Sequence, residues 1–273
     1  MCADRGRSGK VKSKKPLIPY LFWMAAFIII PMGMVIYYAF TGSDGSFSLE
    51  NFKHIALNKE VYLDSFFIAF VSTAICLLIA YPLALLMARM SPRGQRMMNI
   101  LIMLPMWMNF ILRICSLEVL LMPEGVLNHL FGWESNPLYY TPAAVVIGIV
   151  YNYLPFMVLP LYTVLSKISK SVLEAGRDLG CNSWTLLWKV IFPLSVPGVI
   201  SGITMVFVPA ASSFVISSRL GGFNLIGDTI DAYFTKSFNM NAGSILSFIL
   251  MIVIVISMAI MNHFDQDDDI VLV

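Results

Sequence analysis

Five stretches of this chain carry no charge over the length that a membrane crossing demands. No Asp, Glu, Lys or Arg lies between Lys15 and Asp44, Asp64 and Arg89, Glu134 and Lys167, Lys189 and Arg219, or Lys236 and Asp265. A helix needs about 20 apolar residues to cross the hydrocarbon core, and each window holds one. A sixth stretch, from about Met97 to Met122, is apolar except for Arg113 and Glu118. The chain is 58% apolar and 12% charged, with a mean hydropathy of +0.79. Soluble domains run near about 25% charged, so these charges are too few to cover a soluble surface. In lipid the backbone must satisfy its own hydrogen bonds, which selects helices over open strands. The sequence therefore reads as an all-α membrane protein with six transmembrane helices, near 17–40, 64–88, 97–121, 142–166, 194–217 and 243–263.

Lys and Arg set the expected orientation. Six lie before the first helix, three in 89–96 and four in 167–189, against four (Lys53, Lys59, Arg219, Lys236) on the other side. The rich side is cytoplasmic by the positive-inside rule. Both termini and the 167–193 loop are then inside. The expected division is a basic leader (1–16), a transmembrane domain (17–264) and an acidic tail (265–273) with Asp265, Asp267, Asp268 and Asp269. The apolar run from Leu17 to Phe40 is too long for a typical signal-peptide core and ends on no clean small-residue cleavage site, so it reads as an anchoring first span.

Other classes find little support. A net charge of +2 gives no global basic field for nucleic acid. Cys76 and Cys115 fall in spans, Cys2 and Cys181 on the cytoplasmic side, and no pair is placed for an external disulfide. The three histidines show no metal-ligand spacing. No Walker A, nucleophile elbow or HExxH pattern occurs, so the chain reads as non-catalytic. No internal repeat supports a secondary transporter built from duplicated halves.

The polar segment from Ser171 to Pro193 carries the function. Ser171 and Glu174 have capping-box spacing, and Gly180 can supply the left-handed turn that ends a helix. Asn182 or Ser183 can cap a second helix from Trp184 to Phe192. Pro193 and Pro197 are expected to bend the chain back into the membrane. Helix, glycine elbow, helix on the cytoplasmic face suits docking into a soluble partner, or resting on lipid as an interfacial helix.

Glu174, Ala175, Gly180 and Pro193 also fit E-A-A-x3-G-x9-I-x-L-P, the loop signature of ABC importer permeases, with Gly176, Val190 and Phe192 as substitutions. LPMWMNFILR (Leu104 to Arg113), YNYLPFMVLPLY (Tyr151 to Tyr162) and PLSVPGVISGITMVFVPA (Pro193 to Ala210) resemble the PotB-type permease family of spermidine/putrescine importers. Permeases for sulfate, molybdate, thiamine or iron share parts of these stretches. The resemblance implies a type I importer permease of MetI-like fold in the bacterial inner membrane. Its implied partners are a second, PotC-type permease, a PotA-type ATPase dimer and a PotD-type polyamine-binding protein outside. ATP and magnesium would sit on the ATPase, with no cofactor on this chain. Glu174, Ala175, Gly176, Asp178, Gly180 and Pro193 become the expected ATPase-coupling residues. A proton-coupled secondary transporter and a membrane scaffold are the readings from other classes.

Within the membrane, a charge at mid-depth costs on the order of 2.5–3.5 kcal/mol on insertion scales. Arg113 is therefore expected to face protein and play a structural part. Glu118 is about 140° round the helix from it, too far for a good intrahelical pair, and would lie near the outer end. Glu118, Asp228 and Asp231 are the carboxylates that could pass a polycation inward. Trp107, Tyr151 and Tyr153 could offer ring faces to ammonium groups, or could be interfacial aromatics.

Overall fold

In the computed structural model, residues 17–42, 45–132 and 138–266 are described. The basic leader, Asp44, Glu134 and the tail carboxylates Asp267, Asp268 and Asp269 lie outside that set. The first span, α1, runs through Leu17–Met24, a π-helical turn Ala25–Ile29, and Ile30–Ala39. Then follow α2 (Lys59–Arg89), α3 (Pro92–Met103), α4 (Phe110–Leu121), α5 (Pro142–Leu165), α6 (Lys170–Asp178), α7 (Ser183–Ala211), α8 (Val215–Leu220), α9 (Ile226–Thr235) and α10 (Met240–Gln266). Among the described residues, five helices are long and apolar enough to cross a membrane: α1, α2, α5, α7 and α10. The only non-helical pairing there is an isolated bridge between Thr41 and Phe47.

The expected third span, 97–121, is a bent pair of helices, which makes the sixth span when the pair is counted as one. A 3-10 turn, Leu104–Trp107, ends α3, and α4 leaves it at 89°. Pro105 removes a ladder donor in that turn. Asn109 then restarts the chain as an N-cap, its Oδ1 accepting from the N–H of Ile111 at 2.9 Å and of Leu112 at 3.4 Å. Hydropathy alone reads straight through this corner, because its turn is built from apolar residues.

The expected bend at Pro193 is also absent. The fifth span starts at Ser183, not near 194, and ends at Ala211, not near 217. Pro193 cannot donate to the carbonyl four residues back. A π-helical turn, Leu187–Ile191, sits just upstream, with the Phe192 N–H reaching the Leu187 carbonyl. The extra residue in that turn absorbs the missing bond, so the helix continues. The first span uses the same device: Pro31 follows its π-turn by two residues, as Pro193 follows the second.

The core forms where α2, α5 and α7 pack together. One half holds Cys76, Ala84, Met87, Met157, Leu161 and Ile191; the other holds Ile68, Ala69, Ile114, Ile149, Ala210 and Ile216. Small residues let helices approach closely in lipid. A Cβ on Gly198 would stand 3.0 Å from Val164 Cγ2 and 3.1 Å from the Pro160 carbonyl oxygen. On Gly202 it would meet the Met157 sulfur at 2.7 Å. Backbone stands nearer at the first, while at the second the tightest contact is a flexible side-chain end, with the Met157 carbonyl oxygen farther off at 3.3 Å. Gly198→Ala is therefore expected to cost about 1–3 kcal/mol of overpacking, and Gly202→Ala less. Thermal unfolding of both variants in one detergent checks this; equal midpoints would refute the ordering.

The outer segments are clasped onto this core. Tyr62 donates its hydroxyl to the Leu246 carbonyl at 2.7 Å, tying α2 to α10. Ser65 Oγ accepts from the Ile226 N–H at 2.8 Å, tying α2 to the start of α9.

Candidate coupling elbow and substrate path

The polar loop folds as two helices joined at Gly180. The first, α6, starts one residue before Ser171, so the expected Ser171–Glu174 capping box does not form. Ser169 is the N-cap, without a side-chain cap bond, and its hydroxyl lies 2.9 Å from that of Ser171. The C-terminal end closes as expected. Gly180 has φ +83°, its N–H donates to the Arg177 carbonyl at 2.8 Å, and the Cys181 N–H donates to the Gly176 carbonyl at 3.1 Å. This pair of bonds is the Schellman closure, which needs a left-handed residue at the glycine position. Nothing lies within 4 Å of a Cβ built on Gly180, so backbone conformation, not space, demands the glycine. Asn182 then caps α7, its Oδ1 accepting from the Thr185 N–H at 2.8 Å.

Gly176 has a different job. A Cβ there would lie 2.6 Å from Leu186 Cδ1, so α6 and α7 touch at this point. Leu173, Leu187 and Val190 close the same seam. The elbow is thus a packed hairpin, not two loose helices. Replacing the second alanine of the signature by glycine permits this approach.

The faces of α6 are chemically distinct. Lys170, Leu173, Glu174 and Arg177, at one-turn spacings, line a cavity of about 610 Å³ that also reaches Arg89 at the end of α2. Val172, Ala175 and Leu179 lie on the opposite side, with Leu179 85% and Val172 41% exposed. Asp178 is exposed at the helix end, while Pro193 sits inside α7. Of the expected coupling residues, Glu174 lines the cavity, Gly176 and Gly180 shape the elbow, and Ala175 shares the exposed apolar face. Sequence reasoning missed Leu179 and Val172. Two apolar residues seven apart in a polar helix were the available signal.

The expected path residues do not gather at one point. Trp107 is 79% exposed on the corner before α4. Tyr151 is exposed on α5, whereas Tyr153 turns inward, 6.4 Å from the Phe110 ring and 6.2 Å from Phe156. Glu118 lies 3.6 Å from Arg219 at the end of α8, an ion pair between elements. Asp228 is buried and accepts from the Leu225 N–H at 3.0 Å and from the Ser217 hydroxyl. Burial holds its carboxyl above the usual range, against those two donors, which pull it down. Its carboxylate thus joins α8 to α9. Asp231, one turn on, lines a cavity of about 480 Å³ with Ser212, Phe214, Phe234 and Ser247. Of the three acids, it alone lines that space.

Arg113 is 6% exposed, with Nε and Nη1 lacking acceptors. Its guanidinium carbon stands 5.9 Å from the Phe110 ring centre. A ring face offsets part of the burial cost.

A family profile described as binding-protein-dependent transport system inner membrane component matches residues 80–267, which include the elbow and the helices around it. The chain belongs to this permease family. A PotB spermidine/putrescine permease of Haemophilus influenzae is 36% identical over 252 residues, covering 86% of this chain and 88% of the relative. That of Escherichia coli strain K12 is 34% identical over 252 residues, covering 87% and 92%. A crystal structure of a bacterial ABC transporter that imports the acidic polysaccharide alginate superposes with a TM-score of 0.73 at 14% identity, covering 92% of this chain and 94% of that one. At that identity the likeness shows the fold: an all-α importer permease. The permease is a multi-pass protein of the bacterial inner membrane. Membership brings an ATPase and a binding protein as partners of the transport system.

Proposed function

We propose that this permease is one membrane half of an ATP-driven polyamine importer. The observation that carries the reading is the 36% identity to a spermidine/putrescine permease across 86% of the chain, with the glycine elbow intact. The second half is a PotC-type permease. A PotA-type ATPase dimer binds ATP and magnesium beneath the pair, and a PotD-type protein delivers polyamine from outside. The chain itself is non-catalytic and holds no cofactor. Its termini and elbow face the cytoplasm, as the distribution of Lys and Arg supports. Leu179, Val172 and Ala175 form the ATPase-docking face, on a hairpin fixed by Gly176 and Gly180. Asp178 borders that face at the helix end, and Glu174 supports coupling from the cavity side of the same helix.

A polyamine sheds hydration on leaving its binding protein. Carboxylates and aromatic faces replace that hydration, which apolar helix walls cannot do. Glu118, Asp228 and Asp231 are the acids on this route, with Trp107, Tyr151 and Tyr153 as ring faces. The test is uptake of labelled spermidine, putrescine and sulfate into vesicles holding the permease pair, ATPase and binding protein. Cation uptake that requires ATP is expected, with no sulfate uptake. Sulfate transport by the unaltered complex would refute the polyamine reading. The variant Glu118→Gln/Asp228→Asn/Asp231→Asn is expected to slow spermidine uptake about tenfold, equivalent to ~1.4 kcal/mol. Asp231→Asn alone tests the path with the Asp228 clasp intact. Unchanged uptake in both removes these acids from the route.

A further inference from the structure

The cavity behind α6 has a chemistry that coupling leaves unused. Its floor is apolar: Leu85, Ala88, Leu165 and Ile191, contributed by the ends of α2, α5 and α7. Its rim carries three cations, Arg89, Lys170 and Arg177, and one carboxylate, Glu174. None of these four forms an ion pair among the described residues. The wall is braced by Gln95. Its amide donates to the carbonyls of Ala88 at 3.2 Å and Met90 at 3.1 Å, and accepts the Tyr162 hydroxyl at 3.1 Å. The space is therefore preformed, with a volume of about 610 Å³.

We infer that this cavity holds the phosphate of an anionic phospholipid from the inner leaflet. Three unpaired cations at the rim match a phosphodiester, and Arg offers it paired donors. The apolar floor, built from the ends of spanning helices, matches the first carbons of the acyl chains. A free phosphate shares the headgroup chemistry but leaves that floor uncovered. A partner's acidic loop fits less well, because the exposed apolar face of α6 points the opposite way. Basic residues grouped beside an anionic surface reinforce one another, and three at one rim favour selective retention. The inference rests on the reading that the elbow is cytoplasmic. The bound lipid would tie α6 to the ends of α2 and α5 and make elbow position sensitive to membrane charge.

The test uses the full chain in nanodiscs of mixed phosphatidylglycerol and phosphatidylcholine, released into detergent and weighed with its bound lipids by native mass spectrometry. Selective retention of phosphatidylglycerol is expected, falling about tenfold in Arg89→Gln/Lys170→Gln/Arg177→Gln. Arg93→Gln/Arg96→Gln, which removes two cations from a separate, more open groove on α3 beside Met97, Ile100 and Leu101, is expected to lose clearly less. Arg89→Gln alone, expected to show a partial loss, serves if the triple variant unfolds. Labelled inorganic phosphate, offered to the chain in phosphatidylcholine alone, is expected not to be retained. Equal retention of both lipids, equal loss in the α3 variant, or retention of phosphate without lipid preference would each overturn the assignment. So would loss of ATPase co-purification in the triple variant with unchanged lipid retention, which would give the rim to the ATPase. Lipid retention needs neither transport nor a known substrate. Failure of the polyamine reading would therefore appear only as failed spermidine uptake, with lipid binding unchanged.

Discussion

Gly180→Val will reach the membrane and fail to transport. The glycine holds φ at +83°, and two backbone bonds close α6 around it. A residue with a Cβ pays roughly 1–2 kcal/mol to stay left-handed, and a β-branched one is a steric outlier there. No neighbour blocks the new side chain, so the strain falls on the turn and not on the core. The turn relaxes and α6 swings away from α7, which takes the exposed Leu179 out of the docking position proposed for it. Uptake is expected to drop about tenfold or more, with similar protein in the membrane and less ATPase co-purified. Gly180→Asn, which tolerates the left-handed region, should recover part of both. Uptake and co-purification at the unaltered level in Gly180→Val would remove the elbow from coupling.

Arg113→Ala is expected to reduce assembled complex more than it changes apparent substrate affinity. The guanidinium is buried in this chain with two nitrogens lacking acceptors. A charge in that state destabilises the isolated subunit, and the expectation is that the second permease supplies the missing acceptors on assembly. Removing one member of a buried charge pair typically costs about 2–5 kcal/mol. The measurements are the yield of permease pair after solubilisation and the thermal midpoint of the chain alone. Yield should fall while the midpoint holds or rises, since the alanine variant no longer buries an unsatisfied cation. Intact assembly with altered affinity would place Arg113 on the path instead.

The spans α1, α2, α5 and α10 were legible because lipid leaves a plain mark: an apolar run with charges at its ends. Gly180 and Asn182 were legible for a related reason, since the turn and the cap depend on those two residue types. The corner at Asn109 was not. Met103 to Trp107 is apolar on either side of Pro105, and an amide cap carries no charge to break the window. Pro193 misled in the other direction. A proline argues for a bend, and only three-dimensional geometry shows a π-turn taking up the lost bond. Ser171 and Glu174 had correct capping spacing but the wrong frame by two residues, within the usual uncertainty of helix ends. For the path residues, sequence could name acids and rings but not their company. Glu118 beside Arg219 and Asp228 beside Ser217 are meetings of distant segments.

The unbroken course of α7 changes how movement must travel through this protein. Its 29 residues make one continuous helix with a contour of about 44 Å, running from the elbow to the start of α8. A shove at the near end then needs no chain of intermediaries. By geometry, tipping such a helix about its near end by about 10° carries the far end roughly 8 Å. With the elbow in its proposed coupling role, this helix would serve as a lever whose handle and blade are one piece.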